Sequence, residues 1–180
     1  LRTKNIIAFK TNAKRYGTKA EKYEAAIVRF FDDKKGFHKK VHHIDWAGMY
    51  PSCMLTFNLS PETTRITAFE DYQEEPEFST NESTIILRIP DKNIEKTIVI
   101  EIDNSKDGFV RRELLDLKTK RDIIKKELRN TTDSTRKITL QSQQYALKVV
   151  MNIVYGYNGL SSAVFGDLSV AIATVGLCRW

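Results

Sequence analysis

Three groups of side chains in this 180-residue sequence stand at spacings that could act on a phosphate ester. Asp45 ends the buried-looking stretch Val41-His42-His43-Ile44, and the tight turn Gly48-Met49-Tyr50-Pro51 follows it. A carboxylate there suits a hard divalent cation that bridges phosphate oxygens. Arg121 and Lys125 are four apart, so they share one face of a helix. Lys148, Asn152 and Tyr155 stand at i, i+4 and i+7 and share a face of a second helix. If the two helices are antiparallel neighbours, three cations and an amide donor converge on one site. That set suits a triphosphate, because Arg offers a planar fork and Lys a point charge. With a metal at Asp45 the chemistry would be metal-assisted phosphoryl or nucleotidyl transfer. Each residue also has a plainer reading. Asp45 alone is an exposed acid, Tyr50 a core aromatic, and Lys148 with Asn152 a solvated helix face. The sequence holds no G-x-x-x-x-G-K-S/T phosphate loop and no Cys-x-x-Cys pair.

The elements that must position these residues follow from periodicity. Residues 1–22 are polar and basic and read as a loop. Tyr23–Phe31 and Val41–Asp45 are rich in β-branched and aromatic residues and read as strands. Pro51 fits the first turn of a helix that continues through residues 54–59. Ile85–Ile89 and Thr97–Ile102, separated by Pro90–Asn93, predict a hairpin or small sheet carrying an acidic loop. From Phe109 the period becomes helical. Leu114, Leu117, Arg121, Ile124 and Leu128 mark one face, with Leu115 and Ile123 widening it. Asn130–Ser134 supplies turn and capping residues. A second helix runs from about Ser134 to Tyr155, with Ile138, Tyr145, Val149 and Ile153 as its apolar face and Gly156 as its stop. These two make an antiparallel helical hairpin. Residues 161–178 predict a third, apolar helix.

Composition sets the outer bounds. At 41% hydrophobic the chain can bury a sizeable core. Its longest nearly continuous apolar run, Val170–Cys178, falls well short of the ~20 residues of a membrane span. There is no signal-peptide pattern at the N-terminus. Cys53 and Cys178 are far apart, which argues against a disulfide scaffold and for a reducing compartment. Cys53 reads as a small buried residue. The net charge of +6 is concentrated: Arg111–Lys148 holds eleven Lys+Arg against five Asp+Glu, the whole excess of the chain. Glu70–Glu95 is acidic. The basic segment calls for a polyanion partner or, more plainly, is a solvated face with i,i+4 pairs such as Asp122–Lys126.

Asp45-Trp46-Ala47-Gly48-Met49-Tyr50-Pro51-Ser52, followed by Phe57-Asn58-Leu59-Ser60-Pro61-Glu62-Thr63, resembles the first palm motif of family B DNA polymerases. Leu117–Lys125 resembles the first fingers helix of that family. Lys148-Val149-Val150-Met151-Asn152-Ile153-Val154-Tyr155-Gly156 resembles its second fingers motif. The three occur in family order. The resemblance implies an α+β fold: part of a palm, an antiparallel sheet with helices on one face, and a two-helix antiparallel fingers hairpin. It divides the chain into palm (1–107), fingers (108–157) and a helix returning into the palm (158–180).

The same resemblance implies a role for each matching residue. Asp45 and the Trp46 carbonyl would hold Mg²⁺, as half of a two-metal site. Backbone N–H groups of Gly48, Met49 and Tyr50 would cradle the triphosphate of a dNTP. The Tyr50 ring would reject a 2′-hydroxyl. Arg121, Lys125 and Lys148 would bind phosphates with Asn152 assisting, and Tyr155 and Gly156 would lie against the nascent base pair. Gly48, Met49, Cys53 and Ile153 depart from the family's Ser, Leu, Ile and Ser. A Tyr-Gly-Asp-Thr-Asp run, the other palm motif, is absent from these 180 residues. The chain, which opens on Leu1, therefore reads as a segment of a larger or split DNA-directed DNA polymerase, inactive alone. Its partners would be primer–template DNA and the remaining palm, thumb and exonuclease segments, in the cytoplasm or nucleus and away from membranes. The rival expectations are a non-catalytic binding relic of a polymerase and another palm-type nucleotidyltransferase.

Overall fold

The computed structural model describes residues 35–160, 163 and 166–179. The strand expected over Tyr23–Phe31 lies outside them. In order, the elements are α1 (Met49–Thr56), β1 (Thr64–Asp71), β2 (Glu77–Thr80), β3 (Thr84–Asp91), β4 (Lys96–Asp103), α2 (Phe109–Asn130), α3 (Ser134–Asn158) and α4 (Leu168–Arg179). The strands form one antiparallel sheet in the order β1-β4-β3-β2. The fold is thus α+β, as expected.

The β3–β4 hairpin is the centre of the sheet, and its register explains the core. Ile85 faces Ile102, Leu87 faces Ile100, and Ile89 faces Ile98. Alternation along β3 puts all of these on one face. Met54 and Leu59 from around α1, Val110 and Leu114 of α2, and Val170, Ala173 and Leu177 of α4 complete the cluster. Each fully buried aliphatic chain contributes about 1.5–3 kcal/mol. α4 is buried on every side from Ser169 to Leu177, which is why its sequence shows no polar face. It reaches the sheet through Gly176, where an added Cβ would lie 2.3 Å from Ile89 Cδ1. The outer face of the sheet is charged. Arg65 pairs with Glu101, Arg88 with Glu70 and Glu77, and Lys96 with Asp71. Part of the acidic stretch is therefore neutralised locally, by β-strand cations.

Residues 41–45 are irregular and exposed rather than a strand. A strand needs a ladder partner for its N–H and C=O groups, and none of the described strands pairs with it. α1 begins at Met49, two residues before Pro51, because left-handed Gly48 (φ 66°) turns the chain into it. It ends at Thr56, before the expected 59. Asn58 takes a left-handed conformation (φ 55°) and the Leu59 N–H bonds the Met54 carbonyl, a Schellman ending.

The loop after α1 then caps a different helix. α2 opens at Gly108, which has no side chain to satisfy the first amides. The loop supplies acceptors instead. The Gly108 N–H donates to Asn58 Oδ1 (2.8 Å), the Phe109 N–H to Glu62 Oε1 and the Val110 N–H to Ser60 Oγ (3.2 Å). Asn58 Nδ2 donates to the carbonyls of Asp103 (3.1 Å) and Lys106 (2.8 Å), tying in the end of β4. Gly108 is required by this closeness, since a Cβ there would sit 2.7 Å from Ser60 Cβ. Arg111 adds a bond from Nε to the Leu55 carbonyl at the end of α1 (2.9 Å).

α2 and α3 are joined by residues 131–133, and Asp133 caps α3 by accepting from the Thr135 and Arg136 amides. Glu127 meets Arg136, and Arg121 meets Gln144. The numbers run in opposite directions, so the hairpin is antiparallel. The α2 face is as expected: Leu114 is buried and Leu117, Arg121, Ile124 and Leu128 are half-buried. Leu115 and Ile123 do not widen it, being exposed. The α3 face differs. Leu140 and Met151 are buried and Gln144, Leu147 and Val154 half-buried, whereas Ile138 (70%), Tyr145 (61%), Val149 and Ile153 are exposed. α3 carries two apolar stripes, and α2 with the core covers only one. Gly156 does not stop α3 either; the helix runs on to Asn158, with Gly159 at its C-cap. A lone helical Gly costs only about 1 kcal/mol, which packing on both sides outweighs.

Two stability tests follow, both read from urea midpoints at unchanged slope. Asn58→Ala removes three bonds and a residue tolerant of the left-handed region, so it should cost about 2–3 kcal/mol. A loss below about 0.5 kcal/mol would show that the capping loop is dispensable. The two helical glycines should respond with opposite sign. Gly176→Ala pushes on Ile89 and should cost about 1–3 kcal/mol. Gly156→Ala meets open space and should stabilise by about 0.5–1 kcal/mol.

Candidate functional site

The start of α1 has the form of an anion cradle. Gly48 is left-handed (φ 66°, ψ 47°), Met49 is helical, and no side chain caps the helix. Successive amides in that sequence of conformations converge outward. The first turn contains no acidic residue, so nothing there opposes a negative ligand.

The Tyr50 ring leaves this cradle and stacks on Tyr155 of α3, with centroids 4.3 Å apart and planes inclined at 24°. Two residues singled out separately in the sequence thus touch. The offset stack joins α1 to the helical hairpin and holds both rings in fixed orientation. Asn152 and Lys148 stand one and two turns before Tyr155 on the same side of α3, and both are exposed. This row runs about 10 Å along the helix from the stack. Gly156 is also exposed, next to the stack.

α2 contributes unevenly. Arg121 is half-buried and its guanidinium is engaged: Nε donates to the Gln144 carbonyl (3.2 Å) and Nη2 to Gln144 Oε1 (3.1 Å). It serves here as a strut between the helices. Lys125, one turn on, is half-buried. Among the described residues neither Lys125 nor Lys148 makes an ion pair, while Lys118, Lys120 and Arg136 do, with Asp122, Asp116 and Glu127. Asp122 thus pairs with Lys118 rather than the expected Lys126. Asp116 raises the pKa of Lys120, chiefly by accepting its hydrogen bond. Among the described residues, the basic segment therefore divides into cations held in ion pairs and cations outside them.

Asp45 stands three residues before Gly48, exposed, on an irregular segment, with Trp46 beside it 74% exposed. The described residues contain no group of three or more His, Cys, Asp or Glu that could hold a metal. The donor chemistry of Asp45 and a backbone carbonyl suits Mg²⁺, but as one edge of a site and not a cage. No helix among the described residues is long and apolar enough to cross a membrane.

The capping roles of Asn58, Ser60 and Glu62, and the Gln144 contact, are not readable from the motifs that contain or flank them. A signal was present: a helix opening on Gly108 has no local cap, so its acceptors must come from elsewhere.

The family described as DNA polymerase family B matches residues 1–177. A DNA polymerase of Archaeoglobus fulgidus is 34% identical over 80% of this chain and 16% of its own length. The DNA polymerase delta catalytic subunit of Glycine max is 31% identical over 93% of this chain and 14% of its own. The chain thus spans about a sixth of these relatives. Among solved structures, the family B DNA polymerase from the hyperthermophilic archaeon Pyrobaculum calidifontis superposes over 92% of this chain and 20% of its own, with TM-score 0.56 at 24% identity, a likeness of fold. With that family matched over residues 1–177, this chain belongs to DNA polymerase family B.

Proposed function

We propose that this chain supplies the nucleotide-binding part of a DNA-directed DNA polymerase: palm over 1–107, fingers over 108–157, and a helix back into the palm over 158–180. The observation that carries this reading is the Tyr50–Tyr155 stack, which sets the first palm motif against the second fingers motif. A dNTP would lie with its phosphates on the Gly48–Tyr50 amides and near Lys148, Asn152 and Lys125. The Tyr50 ring would lie under the sugar. Backed by Tyr155, it has little room to yield, so a 2′-hydroxyl meets a fixed surface. Tyr155 and Gly156 would face the new base pair, where the absence of a Cβ admits a close approach. Arg121 joins the phosphate set only if it leaves Gln144.

Asp45 and the Trp46 carbonyl would hold Mg²⁺. When bound, the metal polarises phosphate oxygens and offsets their charge. The chain's own contribution is to place the triphosphate and exclude the wrong sugar. A two-metal site needs further carboxylates, which would come from other palm sequence, in the same parent chain or a separate subunit, along with thumb and exonuclease segments. Primer–template DNA is the remaining partner, which places the work in the cytoplasm or nucleus.

In the complete polymerase, Tyr50→Ala should lower the preference for dNTP over rNTP in kcat/KM by on the order of 100-fold, equivalent to about 2.7 kcal/mol. An unchanged preference would remove Tyr50 from the sugar site. Asp45→Ala should abolish incorporation with folding intact, and retained activity would refute its metal role. Primer extension with the 180-residue chain alone should give no product; sustained incorporation would sink the shared-site reading.

A further inference from the structure

The two cysteines have no place in the nucleotide site, yet the fold brings them together. Cys53 lies on α1, three residues after Tyr50, and is buried. Its Sγ donates to the Thr174 carbonyl of α4 at 3.9 Å. Cys178 lies one helical turn beyond Thr174, on the same side of α4, and packs against the cluster that contains Cys53. Helical side chains lean toward the N-terminus of their helix, so the Cys178 sulfur leans back over Thr174.

We propose that Cys53 and Cys178 are an oxidation site, a thiol pair that hydrogen peroxide converts to a disulfide between α1 and α4. The two positions are chemically unequal. Cys178 is only partly buried, and the neighbouring Cys53 thiol holds its pKa below the ordinary value. The neighbouring Cys178 and burial push the Cys53 thiol up. A partly exposed thiol of lowered pKa beside a buried one is the arrangement of an attacking and a resolving cysteine.

The chemistry balances with peroxide as the oxidant. The Cys178 thiolate attacks one peroxide oxygen; an S–O bond forms, the O–O bond breaks, and hydroxide leaves and takes up a proton as water. The product is a sulfenic acid on Cys178. The Cys53 thiol then loses its proton and attacks that sulfur; the S–S bond forms and the S–O bond breaks, releasing a second water. Two thiols give up two electrons and two protons, and peroxide is reduced to two waters. A dithiol reverses the step by exchange. These 180 residues contain no third cysteine, so in a test on this chain no other intramolecular pair competes.

The test needs no polymerase activity, so it stands apart from the proposed function. The chain is treated with hydrogen peroxide, unfolded in the presence of iodoacetamide, and analysed by intact mass and peptide map. The expected result is monomeric protein with both alkylatable thiols lost and the Cys53 and Cys178 peptides linked, restored by dithiothreitol. Linkage should form at least about tenfold faster in the folded chain than in urea, because the fold supplies the proximity. In Cys53→Ser, a dimedone adduct should appear on Cys178; in Cys178→Ser, Cys53 should stay alkylatable. Retention of both thiols in the unsubstituted folded chain, linkage between two chains only, or equal rates with and without urea would each overturn the proposal, whether or not the variants fold.

Discussion

The arrangement rests on the open amino end of α2. A helix that starts on glycine cannot satisfy its own first amides, and two of the three capped here are buried. Their acceptors come from Asn58, Ser60 and Glu62, about fifty residues earlier in the chain. The same Asn58 ends α1 and holds the carbonyls at the end of β4. One short loop therefore fixes α1, the sheet and the helical hairpin relative to each other. If it shifted, buried amides would lose partners at a cost of about 1–3 kcal/mol each. The hairpin is thus anchored at its base by polar bonds with fixed directions, not by apolar packing alone.

From that anchor the upper part of the hairpin is built for charge. Arg121 spends its fork on Gln144 and Glu127 pairs with Arg136, so the cross-helix contacts are themselves polar. Where Lys118 and Lys120 have acids one turn away, their charge is largely local. Lys148 has none, and the one near Lys125, Asp122, is taken by Lys118. A basic surface made this way attracts a polyanion through a few chosen cations, while the paired ones keep the helices solvated and straight. The exposed stripe of Ile138, Tyr145, Val149 and Ile153 belongs to neither purpose within the described chain.

Much of this was legible because it depends on local periodicity. The β3–β4 hairpin follows from the alternation of Ile85, Leu87 and Ile89, and the α2 face from Leu114 to Leu128. What was not legible depends on partners distant in sequence. The α3 stripe of Ile138 to Ile153 is as apolar as the buried one, and only the place of α2 decides between them. Val41–Asp45 has strand-like residues, but a strand is a pairing, and composition does not supply the second member. Gly156 looked like a stop because glycine so often is one. Packing of Met151 below it and Asn158 beyond it carries the helix through. The site residues were recognisable as motifs, yet their contacts were not. Nothing in the spacing of Arg121 and Gln144 announces that one will hold the other's carbonyl, or that Tyr50 will meet Tyr155.

Under the proposed function, the Tyr50–Tyr155 contact would couple sugar selectivity to motion of the hairpin. Tyr50 stands on α1, which the core holds at Met54 and Cys53; Tyr155 stands on α3, whose far end is free of the sheet. A flat ring rejects a bulkier sugar only if it cannot turn, and its freedom is limited here by the ring behind it. That restraint lasts only while α3 stays against α1. Any swing of the hairpin about the Asn58–Glu62 anchor would move Lys148 and Asn152, out along the lever, further than Tyr155 near its base. The phosphate-side groups would then be the mobile part of the site and the sugar-side ring the fixed part, an order in which a nucleotide can be admitted by its charge and judged by its shape.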